Sequence, residues 1–222
     1  MINEMNAAIF DLDGVIVDTA KYHYLAWKRL ANNLGFDFTE RQNERLKGVS
    51  RTRSLEILLE IGDLNFDEST LKALAAQKNA WYVELIRGIK PSELLPGAVD
   101  YVHYIKERGV RTALASASEN APLILECLNI QSLFDVVIEG NKVRQAKPDP
   151  EIFTRADLEL GIMPEECVVF EDAEAGIEAA RRAGMGSVGV GRPGNLQEAD
   201  LVIGNFHQLL VIGLMGVNIE EP

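Results

Sequence analysis

Short apolar runs alternate with longer stretches of helical period along most of this chain. Residues 7–10, 110–115, 134–138, 167–170 and 187–190 are compact apolar runs of the kind that form buried strands, with 201–203 a weaker sixth. The helical patterns between them end at Gly109, Gly161 and Gly184, where a helix C-terminus favours glycine. Strands alternating with helices predict a parallel sheet covered on both faces.

One segment breaks the rhythm. From about Asp18 to Gly88 the pattern is helical throughout. A first helix carries Ala26, Trp27, Leu30, Ala31 and Leu34 and stops at Gly35. A second starts near Arg51 with Ser50 as a candidate cap, and a third carries Leu71, Leu74, Ala75, Tyr82 and Leu85. This block predicts a helical lid, residues 18–88, inserted into a core made of residues 1–17 and 89–222. The crossings are expected near 15–18 and 88–96, the latter with Pro91, Pro96 and Gly97 close by.

Composition narrows the function classes. The chain has 222 residues, 47% of them hydrophobic, and 34 acidic against 22 basic side chains give a net charge of −12. That balance is of an ordinary globular protein and lacks the basic face that a nucleic acid needs. Cys127 and Cys167 have neither metal nor disulfide-framework spacing, which predicts two buried thiols in a reducing compartment. The first residues do not read as a secretory signal, and the longest apolar stretch, 209–217, is too short to span a bilayer. The expectation is a cytoplasmic monomer without membrane or nucleic-acid partners. The 209–217 run is expected to finish the core as a helix or to pack on a partner.

The chemistry gathers at strand ends. Asp11-Leu12-Asp13-Gly14 follows the first strand, and alternate residues of an extended chain face the same way. Glu171-Asp172 follows the run 167–170. Ligands of parallel sheets bind beyond the strands' carboxyl ends, so both acidic pairs are expected at one site. Clustered carboxylates repel unless a cation lies among them, and hard oxygen donors favour Mg²⁺. Ser116, with the amides that follow it, and Lys147 provide anion-binding groups at two further strand ends, with Asn120 a candidate cap for the helix beyond. Together these groups suit a phosphoryl group, whose charge would otherwise be repelled by the carboxylates.

On the lid, the run Leu46-Lys47-Gly48-Val49-Ser50-Arg51 reads as a glycine-containing loop opening a helix, a good phosphate seat and equally a solvated basic loop. Lys78 and His23 lie on apolar helix stripes, where a snorkelling lysine and a structural histidine are the simpler explanations. Thr19 could serve as an N-cap.

The order Asp11-Leu12-Asp13-Gly14-Val15, Ser116, Lys147 and Glu171-Asp172 resembles the four motifs of the haloacid dehalogenase (HAD) superfamily of phosphotransferases. The resemblance implies a Rossmann-like α/β core with an inserted α-helical cap and an aspartyl-phosphate intermediate. Asp11 would be the nucleophile. Asp13 would be the general acid/base, with its backbone carbonyl also on Mg²⁺, and Asp172 and Glu171 would complete the metal site. Lys147 and Ser116 would hold the transferring phosphoryl group.

The strings Val15-Ile16-Val17-Asp18-Thr19-Ala20, Tyr22-His23, Lys47-Gly48-Val49-Ser50-Arg51, Lys78-Asn79, Ser116-Ala117-Ser118 and Gly189-Val190-Gly191-Arg192-Pro193 resemble the β-phosphoglucomutase family. That resemblance implies a sugar phosphate as substrate. Arg51 would grip the non-transferring phosphate and Lys78 would contact the sugar. Thr19 and His23 would couple lid closure to Asp13. Lys47, Gly48, Val49, Ser50, Ala117 and Ser118 would line the substrate site, Ala117 beside the phosphate. The implied reaction interconverts β-D-glucose 1-phosphate and glucose 6-phosphate through the 1,6-bisphosphate, and a lid-bearing sugar-phosphate phosphatase is the alternative. The basic stretch 139–146 before Lys147 departs from the family pattern and leaves that loop's conformation open.

Overall fold

The apolar runs pair side by side in a computed structural model that describes residues 5–46, 49–192, 194 and 196–215. Strands β1 (Ala7–Phe10), β2 (Arg111–Ala115), β3 (Val136–Ile138), β4 (Cys167–Glu171), β5 (Gly186–Val190) and β6 (Leu201–Ile203) form a wholly parallel sheet in the order β3-β2-β1-β4-β5-β6. This is the doubly wound order, in which the chain leaves β1 toward one edge and later crosses to the other. The crevice of such a sheet opens at the carboxyl ends of the strands around that reversal, here β1 and its neighbours β2 and β4.

The two-residue period of the strands sends alternate side chains to opposite faces. Ala8, Phe10, Leu114, Val168 and Phe170 enter one cluster with Tyr101, Ile124 and Phe206. Ala7, Ile9, Ala113 and Val169 enter the other with Ile152, Phe153 and Ala179. The first face is covered by α5 (Ala98–Lys106), α6 (Ala121–Leu128) and α9 (His207–Met215), the second by α7 (Glu151–Leu160) and α8 (Glu174–Arg182). Phe10 stacks on Phe170 with ring centroids 4.6 Å apart, and truncating either ring to alanine removes about 3–5 kcal/mol of stability. Of the two expectations for the apolar run 209–217, the first holds as far as the described residues go. It forms α9, which buries Leu209 against the core beside α5, and residues 216–217 lie outside the described residues.

Between β1 and β2 the chain builds α1 (Ala20–Asn33), α2 (Glu40–Asn43), α3 (Arg51–Ile61) and α4 (Glu68–Ile86). Trp27, Leu30, Phe38, Leu55 and Leu58 form a hydrophobic cluster of their own, so the inserted helices hold themselves together as a cap. Ser50 caps α3 by accepting from the Arg53 amide at 3.2 Å. Helix α2 was not visible in the periodicity, since four residues show no stripe. It is set by a capping box, in which Thr39 Oγ1 accepts the Gln42 amide and Gln42 Oε1 accepts the Thr39 amide. The two crossings run side by side: Val17 pairs with Leu94, Asp18 N donates to Glu93 O at 2.9 Å and Leu95 N to Ile16 O at 2.9 Å.

Candidate active site

Register brings the acids together. Phe10 is level with Leu114 on one side and Phe170 on the other, so the next residue of β1, Asp11, stands beside the end of β4. The Asp11 amide donates to Phe170 O at 2.9 Å, and its Oδ2 accepts the Asp13 amide at 2.9 Å. Lys147 enters from the loop after β3, donating at 2.6 Å to both Asp11 Oδ1 and Glu171 Oε1. Glu171 Oε2 accepts the amides of Asp172 at 2.6 Å and Ala173 at 3.0 Å, so this carboxylate is held from both ends.

Burial raises the Asp11 carboxyl above the ordinary carboxylate range, against the pull of Lys147 and with help from Glu171. Burial raises Asp172 in the same direction, reinforced by Glu171 and Asp11. For Lys147, burial works against the charge, but Asp11 and Glu171 outweigh it and raise its pKa. The resulting cluster carries more negative than positive charge in a dry place.

That excess is what a cation relieves. One oxygen each from Asp11, Glu171 and Asp172 lie within 4.8 Å of one another, and an all-carboxylate set suits a hard divalent ion such as Mg²⁺. Two glycines make room for these carboxylates. Gly14 has φ +84°, and a Cβ there would fall 2.1 Å from Asp172 Oδ2. A Cβ on Gly176 would fall 1.9 Å from Glu171 Oε1. Gly14 was legible as a turn residue. Gly176 was not, because only the packing of α8 against β4 brings it to Glu171.

A cavity of about 200 Å³ lies between this cluster and the cap. Asp11, Asp13, Lys147 and Asp172 form its core-side floor, and Thr19, His23, Arg51 and Lys78 reach it from the cap side. Thr19 was a candidate N-cap, but its side chain makes no cap bond and Oγ1 donates to Asp13 Oδ1 instead. Burial raises the Asp13 carboxyl, and the Thr19 bond opposes that rise. Lys78 Nζ lies 3.0 Å from His23 Nδ1, with the rings of Trp27 and Tyr82 at 4.5 and 4.7 Å. Burial, with Arg51 nearby, brings the Lys78 ammonium down to about 7, and burial, with Lys78 and Arg51, pushes the His23 imidazole well below its usual value. The snorkelling reading therefore fails: Lys78 is 2% exposed and points inward.

Other expected residues divide. Val49, Ala117 and Ser118 line the cavity. Ser116 is fully buried at the end of β2, where its Oγ accepts the Ser118 amide at 3.1 Å, and it is not part of the cavity wall. Ser50 is not on the wall either, its hydroxyl being used as the cap of α3. Lys47 and Gly48 lie outside the described residues. Asn120, expected to cap α6, makes no cap bond; its Nδ2 donates across the cleft to Asn79 Oδ1 at 2.9 Å. The stretch 139–146 is fixed by Glu151 Oε2, which accepts the amides of Arg144 and Gln145 at 2.8 and 2.9 Å. The sequence reading missed Asn43 and Ser54 on the cap wall and took Trp27 for core alone. Asn43 sits on the four-residue α2, which has no stripe to mark it.

With this geometry in view, the likenesses to known proteins fall into line. The haloacid dehalogenase-like hydrolase family model matches residues 5–184. The chain is 43% identical over 201 residues to a β-phosphoglucomutase of Bacillus subtilis, covering 90% of this chain and 89% of that one. It is 33% identical over 184 residues to a phosphorylated carbohydrates phosphatase of Thermotoga maritima, covering 82% of each. The crystal structure of a β-phosphoglucomutase from Clostridium difficile superposes with a TM-score of 0.90 at 42% identity, covering 96% of each chain. Among the described residues no helix is long and apolar enough to cross a membrane.

Proposed function

The chain belongs to the haloacid dehalogenase superfamily, within its β-phosphoglucomutase family, and on that premise we propose that it interconverts β-D-glucose 1-phosphate and β-D-glucose 6-phosphate through an aspartyl-phosphate enzyme and β-glucose 1,6-bisphosphate. The observation that carries this reading is a cavity with an anion seat at each end. Lys147 lies beside Asp11 on the floor and Arg51 on the cap wall, so a molecule with a phosphate at each end would meet a cation at both.

Asp11 is a carboxylate nucleophile and needs no base to activate it. Its oxygen attacks the C1 phosphorus of the bisphosphate as the bond to the sugar oxygen breaks, Asp13 gives that oxygen its proton, and glucose 6-phosphate leaves. In the other half, which starts from phosphorylated Asp11, Asp13 takes the proton from the 6-hydroxyl of an incoming β-glucose 1-phosphate. That hydroxyl oxygen then attacks the phosphorus on Asp11 and releases its carboxylate, and the product is the 1,6-bisphosphate. Burial lets Asp13 hold a proton closer to neutrality than an ordinary aspartate does. Lys147 screens the nucleophile from the incoming phosphoryl oxygens. Asp11, Asp172 and Glu171, with the Asp13 backbone carbonyl, are the groups that would hold Mg²⁺, which when bound neutralises charge on the phosphoryl oxygens.

Residues 18–88 act as the lid in this reading, with Thr19 and His23 linking its closure to Asp13 and Lys78 facing the sugar. Closure excludes water from the aspartyl phosphate while the bisphosphate turns round.

A sugar-phosphate phosphatase is the second reading, favoured by the 33% identical phosphatase relative. Offering both anomers of glucose 1-phosphate, with glucose 6-phosphate and free phosphate measured in parallel, separates the two. Isomerisation of the β-anomer supports the mutase, whereas phosphate release without isomer supports the phosphatase.

A further inference from the structure

Arg51 is already engaged before any ligand enters. Its guanidinium Nη2 lies 3.1 Å from Glu119 Oε2, across the cleft from the N-terminus of α3 to the loop between β2 and α6. The Arg51 side chain is 28% exposed and Glu119 is 52% exposed. Arg51 lines the cavity, as do Ser118 and Asn120 on either side of Glu119, whereas Glu119 itself is not part of the wall. A second tie, Asn79 to Asn120, joins the same loop to α4. The cap is thus fastened to the 118–120 loop by two contacts, and one of them uses the cation assigned above to the distal phosphate.

We propose that Glu119 is the counter-ion that Arg51 exchanges for the distal phosphate, making it a positioning and specificity-determining residue of the cap-side seat. The proposal rests on the reading of Arg51 under Proposed function. A carboxylate and a phosphate present similar oxygen pairs to a guanidinium, so they compete for one face of it. Glu119 is half in solvent, so the pair is screened and releasing it costs little, and a dianionic phosphate displaces it. A sugar hydroxyl cannot, because it would leave the guanidinium without its anion. The pair therefore favours ligands carrying a phosphate at the far end over those with a neutral one. It also keeps Arg51 oriented and the lid near the core between turnovers.

The test compares Glu119→Gln, Glu119→Asp and Arg51→Ala in steady-state assays with two substrates. One is β-glucose 1-phosphate, turned over through the bisphosphate and using the distal seat. The other is acetyl phosphate, whose hydrolysis uses the floor alone. Glu119→Gln removes a competitor of surface-ion-pair strength, so KM for β-glucose 1-phosphate is expected to fall about two- to fivefold. KM for acetyl phosphate should stay unchanged, and Glu119→Asp should restore wild-type values. In the Arg51→Ala background, adding Glu119→Gln should have no further effect. Equal shifts on both substrates, or a rise in KM for β-glucose 1-phosphate, would overturn the proposal. If Arg51→Ala raises that KM while Glu119→Gln does not lower it, only the Glu119 assignment fails. If Arg51→Ala leaves it unchanged, the distal-phosphate reading fails and takes the Glu119 assignment with it.

Discussion

Lys147 and Asp11 form a buried ion pair, Nζ to Oδ1 at 2.6 Å, with Glu171 sharing the same ammonium. The lysine side chain is 2% exposed, so removing its charge strands two carboxylates in a dry site. Lys147→Met should destabilise the metal-free protein by about 3–5 kcal/mol, read by urea unfolding in the presence of chelator. It should also abolish turnover. An unchanged unfolding midpoint would show that the carboxylates do not depend on the lysine.

Removal of Mg²⁺ should show in stability as well as in rate. Asp11 and Asp172 hold their protons above the ordinary carboxylate range because of burial and mutual repulsion. Where the unfolded chain is already ionised, the folded one still binds protons, so the metal-free protein loses stability as pH rises through that window. A divalent ion binds only the ionised cluster, so its stabilising effect should grow in the same direction. Melting curves with and without MgCl₂, from about pH 5.5 to about pH 8, should diverge as pH increases. Asp172→Asn should bring them together.

The acid/base role of Asp13 has a signature of its own. Asp13→Ala should lower kcat by about 10²–10⁴ through lost proton transfer. Thr19→Val should cost less but leave a mark on the pH profile. The Thr19 hydroxyl opposes the rise of the Asp13 pKa, so losing it moves the limb due to Asp13 to higher pH. A profile that falls in height without moving would assign Thr19 a structural part only.

Gly176→Ala tests the packing behind the metal ligands. The added methyl meets Glu171 Oε1 at 1.9 Å, so the carboxylate has to shift. The requirement for Mg²⁺ in the assay should rise by about tenfold, in line with other losses of support behind a metal ligand. Since φ at Gly176 is not left-handed, the helix itself should survive, which circular dichroism would verify.

These predictions mix residues that sequence makes plain with others it hides. Asp11, Asp13, Glu171 and Asp172 were legible because strand ends follow from apolar runs, and a parallel sheet aligns its carboxyl ends. Lys147 followed from its place after the third strand. The cap was legible as helices with stripes, so Lys78 and His23 could be named, while their mutual contact depends on how α1 packs on α4. Gly176, Asn43 and Glu119 carried no periodic signal. Asn43 and Glu119 matter through the cavity or through a neighbour distant in sequence, and Gly176 through the way the turn after β4 packs α8 on Glu171, which nothing short of the fold reveals. At Ser50 and Ser116 the hydroxyl also accepts a backbone amide, a use that the sequence pattern around a phosphate motif does not reveal.

The fate of one phosphoryl group tests the central claim most directly. The enzyme is labelled on Asp11, mixed with β-glucose 1-phosphate in a single turnover, and quenched, and the label is traced. The account predicts label in glucose 1,6-bisphosphate and then in glucose 6-phosphate, with little in free phosphate. Label appearing promptly in inorganic phosphate, with no glucose 6-phosphate formed, would contradict it.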